Sequence, residues 1–189
     1  MLKIGSRISF VKHTHLQRGM TFIEVLIALV IMVTGILGSV AMQVIAKQGS
    51  FDAMQRSLAS SLAQDIIARM RAQKPSTDPN LTLIEYVKND YGKEDGVYKD
   101  DASDVDMIDN DRYEWELALM GGDVTTDNGT VSVGGLVGGR GCIAQNGNAY
   151  TVVVSWQGRT NTVDAGTGVN ACGVSGSKRR QVVVQAFIF

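Results

Sequence analysis

Residues 16–39 read LQRGMTFIEVLIALVIMVTGILGS. Everything from Val25 to Ala46 is uncharged, yet Glu24 stands at the threshold of that run. As a helix rising about 1.5 Å per residue, the run is long enough to cross a hydrocarbon core of about 30 Å. Residues 1–19 carry Lys3, Arg7, Lys12 and Arg18 and no acid. A basic, acid-free leader before an apolar helix directs a chain to a membrane and keeps its amino end in the cytoplasm. The remainder of the 189-residue chain would then lie outside, with a net charge of −5 (14 Lys and Arg against 19 Asp and Glu). Aromatic residues are few and the overall charge is −1, so no global basic character points to nucleic acid.

Beyond Lys47 the pattern changes. Phe51, Met54, Leu58, Leu62, Ile66 and Met70 recur every three or four residues, while Gln55, Arg56, Gln64, Arg69 and Arg71 take other positions. That spacing predicts an amphipathic helix with one face for a core. Both prolines, Pro75 and Pro79, fall in AQKPSTDPN, where the helix is expected to stop. One helix from about Met20 to about Lys74 follows, apolar all round in its first half and amphipathic in its second. Gly35 and Gly38 are its soft points, each weakening a helix by roughly 1 kcal/mol relative to alanine.

The rest is rich in glycine, asparagine, aspartate and valine. Residues 81–87 suggest a short helix. DRYEWELALM (111–120) alternates Tyr113, Trp115, Leu117 and Leu119 and reads as a strand; TVSVGGLV (130–137) reads as a weaker one. AYTVVVSWQ (149–157) and RQVVVQAFIF (180–189) give the clearest strand signals. The 22 residues between them are too many for a tight hairpin. The two cysteines, Cys142 and Cys172, both fall in the exported part, and an even pair in an oxidising compartment is expected to form a disulfide. It would tether the long loop beside the strand starting near Tyr150. The fold class expected is α+β: a long amino-terminal helix packed on a carboxy-terminal antiparallel sheet.

Three readings compete for the opening stretch. A cleaved secretory signal meets only a fair small-residue site at Ser39-Val-Ala41 and an acid within its apolar region. A plain anchor leaves Glu24 as a stray interfacial charge. The third takes all the features together. A basic leader ending in Gly19, then Met20-Thr-Phe-Ile-Glu24 and an apolar run, resembles the type 4 prepilin motif of the type IV pilin-like family. The resemblance implies that a prepilin peptidase cuts between Gly19 and Met20 and that the new amino group of Met20 is methylated. It implies that Glu24 acts as an assembly charge, neutralising the Met20 ammonium of a neighbouring subunit.

The same resemblance divides the chain into a leader (1–19), a transmembrane and assembly helix (20–48), an amphipathic continuation (49–74) and a globular pilin head (75–189). It implies a single-pass inner-membrane protein with a periplasmic head before assembly, and a pilus or cell-surface location afterwards. The partners implied are the prepilin peptidase, other minor and major pilins, inner-membrane lipid and the inner-membrane assembly platform. Met20 stands where major pilins usually carry phenylalanine, and the proline that commonly breaks their first helix is missing. Methionine there resembles minor pilins and pseudopilins, and both departures imply a low-abundance subunit over the main filament protein. The valine-rich strands with Trp156 and the basic Arg179-Arg180 pair resemble PilV-type minor pilins of Gram-negative type IV pili.

Other constellations are weaker. Asp104, Asp106, Asp109 and Asp111 lack the glycine and terminal glutamate of a 12-residue calcium loop, so a solvated acidic loop is expected. GGLVGGRG (134–141) lacks the Lys-Ser/Thr of a phosphate loop. The only histidines, His13 and His15, lie in the leader, and no serine sits in a nucleophile elbow. The expectation is a structural protein with no catalytic residue, metal, cofactor or small-molecule substrate. Lys178, Arg179 and Arg180 read as a solvated approach to the last strand. The rival class is a membrane-tethered binding module with ligand loops at 93–111 or 157–180; the rival within the same machinery is a minor pseudopilin of type II secretion.

Overall fold

A computed structural model of the protein describes residues 19–73, 83–92, 107–122, 125–126, 131–132, 134–164, 166 and 171–188. The prolines, residues 1–18 of the leader, and Asp104 and Asp106 lie outside those residues. Helix α1 runs unbroken from Phe22 to Ala72. A 3-10 turn at Ile84–Tyr86 leads to strand β1 (Lys88–Tyr91). Helix α2 (Met107–Met120) follows, then a two-stranded ribbon of β2 (Thr125–Thr126) and β3 (Val131–Ser132). Strands β4 (Arg140–Asn146), β5 (Ala149–Gln157) and β6 (Arg179–Phe187) close the order. The main sheet is antiparallel throughout, in the order β1-β4-β5-β6.

The chain divides into two compact units, residues 1–44 and 45–189. In the first, the apolar side chains of α1 are exposed, and the helix passes through Gly35 and Gly38 without a break. The Thr34 hydroxyl donates to the Val30 and Ile31 carbonyls at 3.0 and 2.9 Å, and the Ser39 hydroxyl to the Ile36 carbonyl at 2.8 Å. The hydroxyls of this stretch are thus satisfied within the helix, as an apolar medium requires. The helix is long and apolar enough to cross a membrane.

In the second unit, Ala59, Leu62, Ala63, Ile66, Ile67 and Met70 of α1 meet one face of the sheet. That face presents Ile143, Tyr150, Val152, Val154 and Trp156. Period-2 alternation along β5 selects Tyr150, Val152, Val154 and Trp156, and Ile143 of β4 sits opposite Val152; Val153 points the other way, to Cys142 and Cys172. The buried stripe of α1 lies slightly around the helix from the one the periodicity suggested. Leu62, Ile66 and Met70 are in the core, whereas Met54 is 58% exposed and Gln55 is buried. Gln55 is admitted because both ends of its amide are used: Nε2 donates to the Gly135 carbonyl at 3.5 Å, and Oε1 accepts from the Val137 N–H at 3.0 Å.

The segment 111–120 is helical, correcting the strand expected there. Its buried apolar residues, Ile108, Trp115 and Leu119, are spaced by seven and four, a helical stripe; Tyr113 and Leu117 are not among them. Glu114, Glu116, Leu117, Ala118 and Met120 are good helix formers. Gly121, at φ 75°, ends the helix, with the Gly122 N–H bonded to the Leu117 carbonyl at 2.8 Å. Residues 134–137 are likewise no strand. The Leu136 N–H bonds to the Leu119 carbonyl at 3.0 Å, and a Cβ on Gly121 or Gly135 would collide with the facing backbone. The glycine-rich stretch is therefore a close-packed seat for the end of α2. An unforeseen strand, β4, pairs with β5 through a two-residue turn at Gly147-Asn148.

Trp115 joins the layers. It is fully buried, its Nε1 donates to the Leu62 carbonyl of α1 at 2.8 Å, and its ring meets Tyr91 edge-on at 5.0 Å. Trp115→Ala is expected to cost about 3–5 kcal/mol. Denaturant titration of the full chain in detergent, following near-ultraviolet dichroism, measures that loss against wild type.

Candidate functional site

The amino-terminal site begins with non-helical Gly19, Met20 and Thr21. Thr21 caps α1. Its carbonyl accepts from the Glu24 N–H at 3.0 Å and the Val25 N–H at 3.3 Å, and its hydroxyl also receives the Glu24 N–H at 3.4 Å. Thr21-Phe-Ile-Glu24 thus has the spacing of a capping box, a signal the sequence reading passed over. Glu24 in the first turn also complements the positive end of the helix dipole. The helix starts at Phe22, just beyond the Gly19–Met20 bond, and leaves that bond in non-helical, exposed chain. Met20 and Glu24 are both exposed.

The second site is the loop between β5 and β6. Cys142 of β4 and Cys172 are bonded, with Cα atoms 5.8 Å apart. Closing the intervening 30-residue separation stabilises the fold by roughly 3–4 kcal/mol on a chain-entropy account. Arg179 holds the same loop from the other side. It is only 4% exposed, which corrects its expected place in a solvated basic cluster. Its Nε donates to Asp164 at 2.8 Å; Nη1 donates to the carbonyls of Cys172 and Gly173 at 3.2 and 3.1 Å; Nη2 donates to the Gly166 carbonyl. Asp164 in turn accepts the N–H groups of Gly176 at 2.8 Å and Gly166 at 3.1 Å. The Arg179 guanidinium, aided by those amides, holds the Asp164 carboxyl below its ordinary value.

Asp109 and Asp111, expected in a solvated acidic loop, lie instead on α2, where each has a partner. Asp109 pairs with Arg112 at 3.0 Å within α2. Asp111 accepts from Arg69 at 3.0 Å, from Tyr86 at 2.8 Å and from Gln73 at 3.0 Å. Arg69 also pairs with Asp65 and Glu114. Burial opposes the Arg69 charge, but the bonds from Glu114, Asp111 and Asp65 outweigh it and hold the guanidinium above its ordinary value. Burial, then Asp111, pushes the Tyr86 phenol up. These groups fasten α1 to α2. Among the described residues no cluster of three or more His, Cys, Asp or Glu side chains is placed to hold a metal.

With this geometry in view, comparison with known proteins bears on the first site alone. Residues 14–40 match the prokaryotic N-terminal methylation motif. The chain carries a prepilin-type amino terminus. That motif marks type IV pilin-like prepilins and pseudopilins, and it spans Gly19, Met20, Glu24 and most of the apolar half of α1. No curated protein and no solved structure matches the chain.

Asp164 provides a pH test of the loop. Its folded-state pKa is depressed, so the order it lends the loop is present above the ordinary carboxyl value and is lost as pH falls through the lower folded value. Carboxyl-carbon NMR should find Asp164 titrating below 3.8. Asp164→Asn should speed amide exchange at Gly166 and Gly176 at neutral pH and leave the β5–β6 ladder protected.

Proposed function

We propose that the protein is a minor pilin of a type IV pilus. On this reading the prepilin peptidase cleaves between Gly19 and Met20, Met20 is methylated, and the subunit waits in the inner membrane before helping to start the pilus or to form its tip. The observation that carries the reading is the methylation motif joined to an unbroken apolar helix and a helix-on-sheet head. Met20 and the proline-free α1 support a low-abundance subunit over the main filament protein. The protein then works by assembly, with no chemistry of its own.

In that role Glu24 has a physical task. Cleavage leaves an ammonium on Met20 at the start of a helix in an apolar surrounding. In a bundle of such helices the carboxylate of one subunit neutralises the ammonium of the next, which also selects the axial offset between them. Apolar surface moving from lipid into a bundle gains little, so packing and this charge pair supply most of the association free energy. Leaving one charge of such a pair unpartnered costs about 3–5 kcal/mol.

Two substitutions test the reading. Gly19→Val should leave uncleaved precursor in the membrane, seen by intact mass; a mature product of normal mass, or a cut near Ala41, overturns it. Glu24→Ala should be cleaved normally and keep its head folded. Its ratio in sheared fibres to membranes should fall by a factor of hundreds or more. An unchanged ratio removes the assembly role of Glu24. Recovery with a secretion pseudopilus, and absence from pilus fibres, would assign the protein to type II secretion.

A further inference from the structure

The end of the head unit nearest Lys47 in the chain combines two features that the assembly role of residues 20–46 does not use. The first is an apolar groove of about 540 Å3 lined by Phe51, Met54 and Leu58 of α1, Met120 of α2, and Leu136 and Val137. Met54 and Val137 are largely exposed on it. The second is a concentration of cations at the same level of the helix. The Arg159 guanidinium lies over the Phe51 ring, 4.2 Å from its centroid. The Arg159 N–H and the Thr160 hydroxyl reach Asp52 at 3.4 and 3.5 Å, and Arg180 approaches the same carboxylate at 3.9 Å. The Gly158 N–H bonds to the Lys178 carbonyl at 2.8 Å, and the Gln157 N–H to the Val137 carbonyl at 2.8 Å. Those bonds bring the two ends of the long loop and the groove wall together. Lys47, Arg56, Arg159 and Lys178 are exposed, Arg180 is partly so, and among the described residues Asp52 is the acid that contacts Arg159 and Arg180.

We infer that this end of the head is a seat for an anionic phospholipid surface, with the cations on headgroup phosphates and the Phe51–Met54 end of the groove against the glycerol region. Charge complementarity carries the assignment, together with position. Lys47 is the first charge beyond the apolar run, and Phe51 follows it by four residues, about 6 Å of helix. The interfacial layer on each side of a bilayer is about 5–8 Å deep, so Phe51 falls within it; Met54, about 10 Å beyond Lys47 along the helix, reaches it when the helix tilts from the bilayer normal. Aromatic and long basic side chains favour that layer, where an apolar body and a charged tip both find partners. The seat rests on the membrane-held precursor or subunit proposed above. It would hold the head in one orientation before assembly and release it when the subunit leaves lipid.

The test uses the full chain, cleaved or not, in vesicles of phosphatidylcholine with and without phosphatidylglycerol. Spin labels are placed singly through Met54→Cys, Ser61→Cys and Leu37→Cys, and their access to a lipid-soluble and a water-soluble relaxation agent is compared. The Leu37 label should be deep in lipid in both mixtures and the Ser61 label in water in both. The Met54 label should be lipid-shielded only with phosphatidylglycerol. About 1 M salt, where the Debye length is about 3 Å, should release it. Arg159→Gln and Lys178→Gln should each lower the seated-to-released ratio about fivefold. A deep Leu37 label with a Met54 label equally wet in both lipids overturns the seat and leaves membrane insertion standing. A wet Leu37 label overturns both. Shielding of Met54 that ignores lipid charge and grows with the protein-to-lipid ratio overturns the seat in favour of a second copy in the groove.

Discussion

One unbroken backbone ladder serves two solvents. From Phe22 to Ala72 the N–H and C=O groups of α1 satisfy one another within the helix, so the same element can present apolar side chains all round in one half and a single buried stripe in the other. The remaining architecture answers to that constraint. The head must cover a stripe running from Gln55 to Met70, and it must do so without breaking the helix. Thr21 at one end, and the hydroxyls of Thr34 and Ser39 within it, are each absorbed by the helix itself.

The head covers the stripe by layers that differ in chemistry. The sheet supplies β-branched and aromatic side chains, whose burial is the main favourable term. Helix α2 adds direction: the Trp115 indole on the Leu62 carbonyl fixes where it crosses, and the cluster of Arg69, Asp111, Tyr86 and Gln73 fastens the far end. Gln55 secures the near end by occupying the backbone of Gly135 and Val137. Together these polar contacts set the register of α1 against its cover, which apolar burial alone leaves loosely specified. The far side of the sheet is closed differently, by a disulfide and a buried arginine that fills the loop with donors.

Much of this was legible in the sequence. Hydropathy located the helix and its two characters because length and charge placement are properties of the chain itself. The valine runs of β5 and β6 were legible for the same reason, since alternation and β-branching act locally. The segment 111–120 was misread because Trp115 and Leu119 satisfy both a period of two and a helical spacing. Its helix formers and the Gly121-Gly122 stop were the signals to weigh more heavily. Strand β4 was missed although Asn146-Gly147-Asn148 marks a tight turn; its small residues Gly141, Cys142 and Ala144 leave little local strand signal.

The methylation motif was legible in sequence: Gly19, Met20 and Glu24 stand in it by their spacing to a basic leader and an apolar helix, and no distant residue is required. The cysteine pair was likewise legible, because only one pairing exists within the chain. Tertiary structure alone decided that Arg179 is an interior organiser while its neighbours Lys178 and Arg180 are not, because burial depends on Asp164 and three carbonyls brought from elsewhere in the loop. It also decided that Gln55 belongs inside and Met54 outside. A helix period places both near one face, and only the Gly135–Val137 backbone, folded against α1 from eighty residues away, supplies the partners that let an amide be buried with both of its ends hydrogen-bonded.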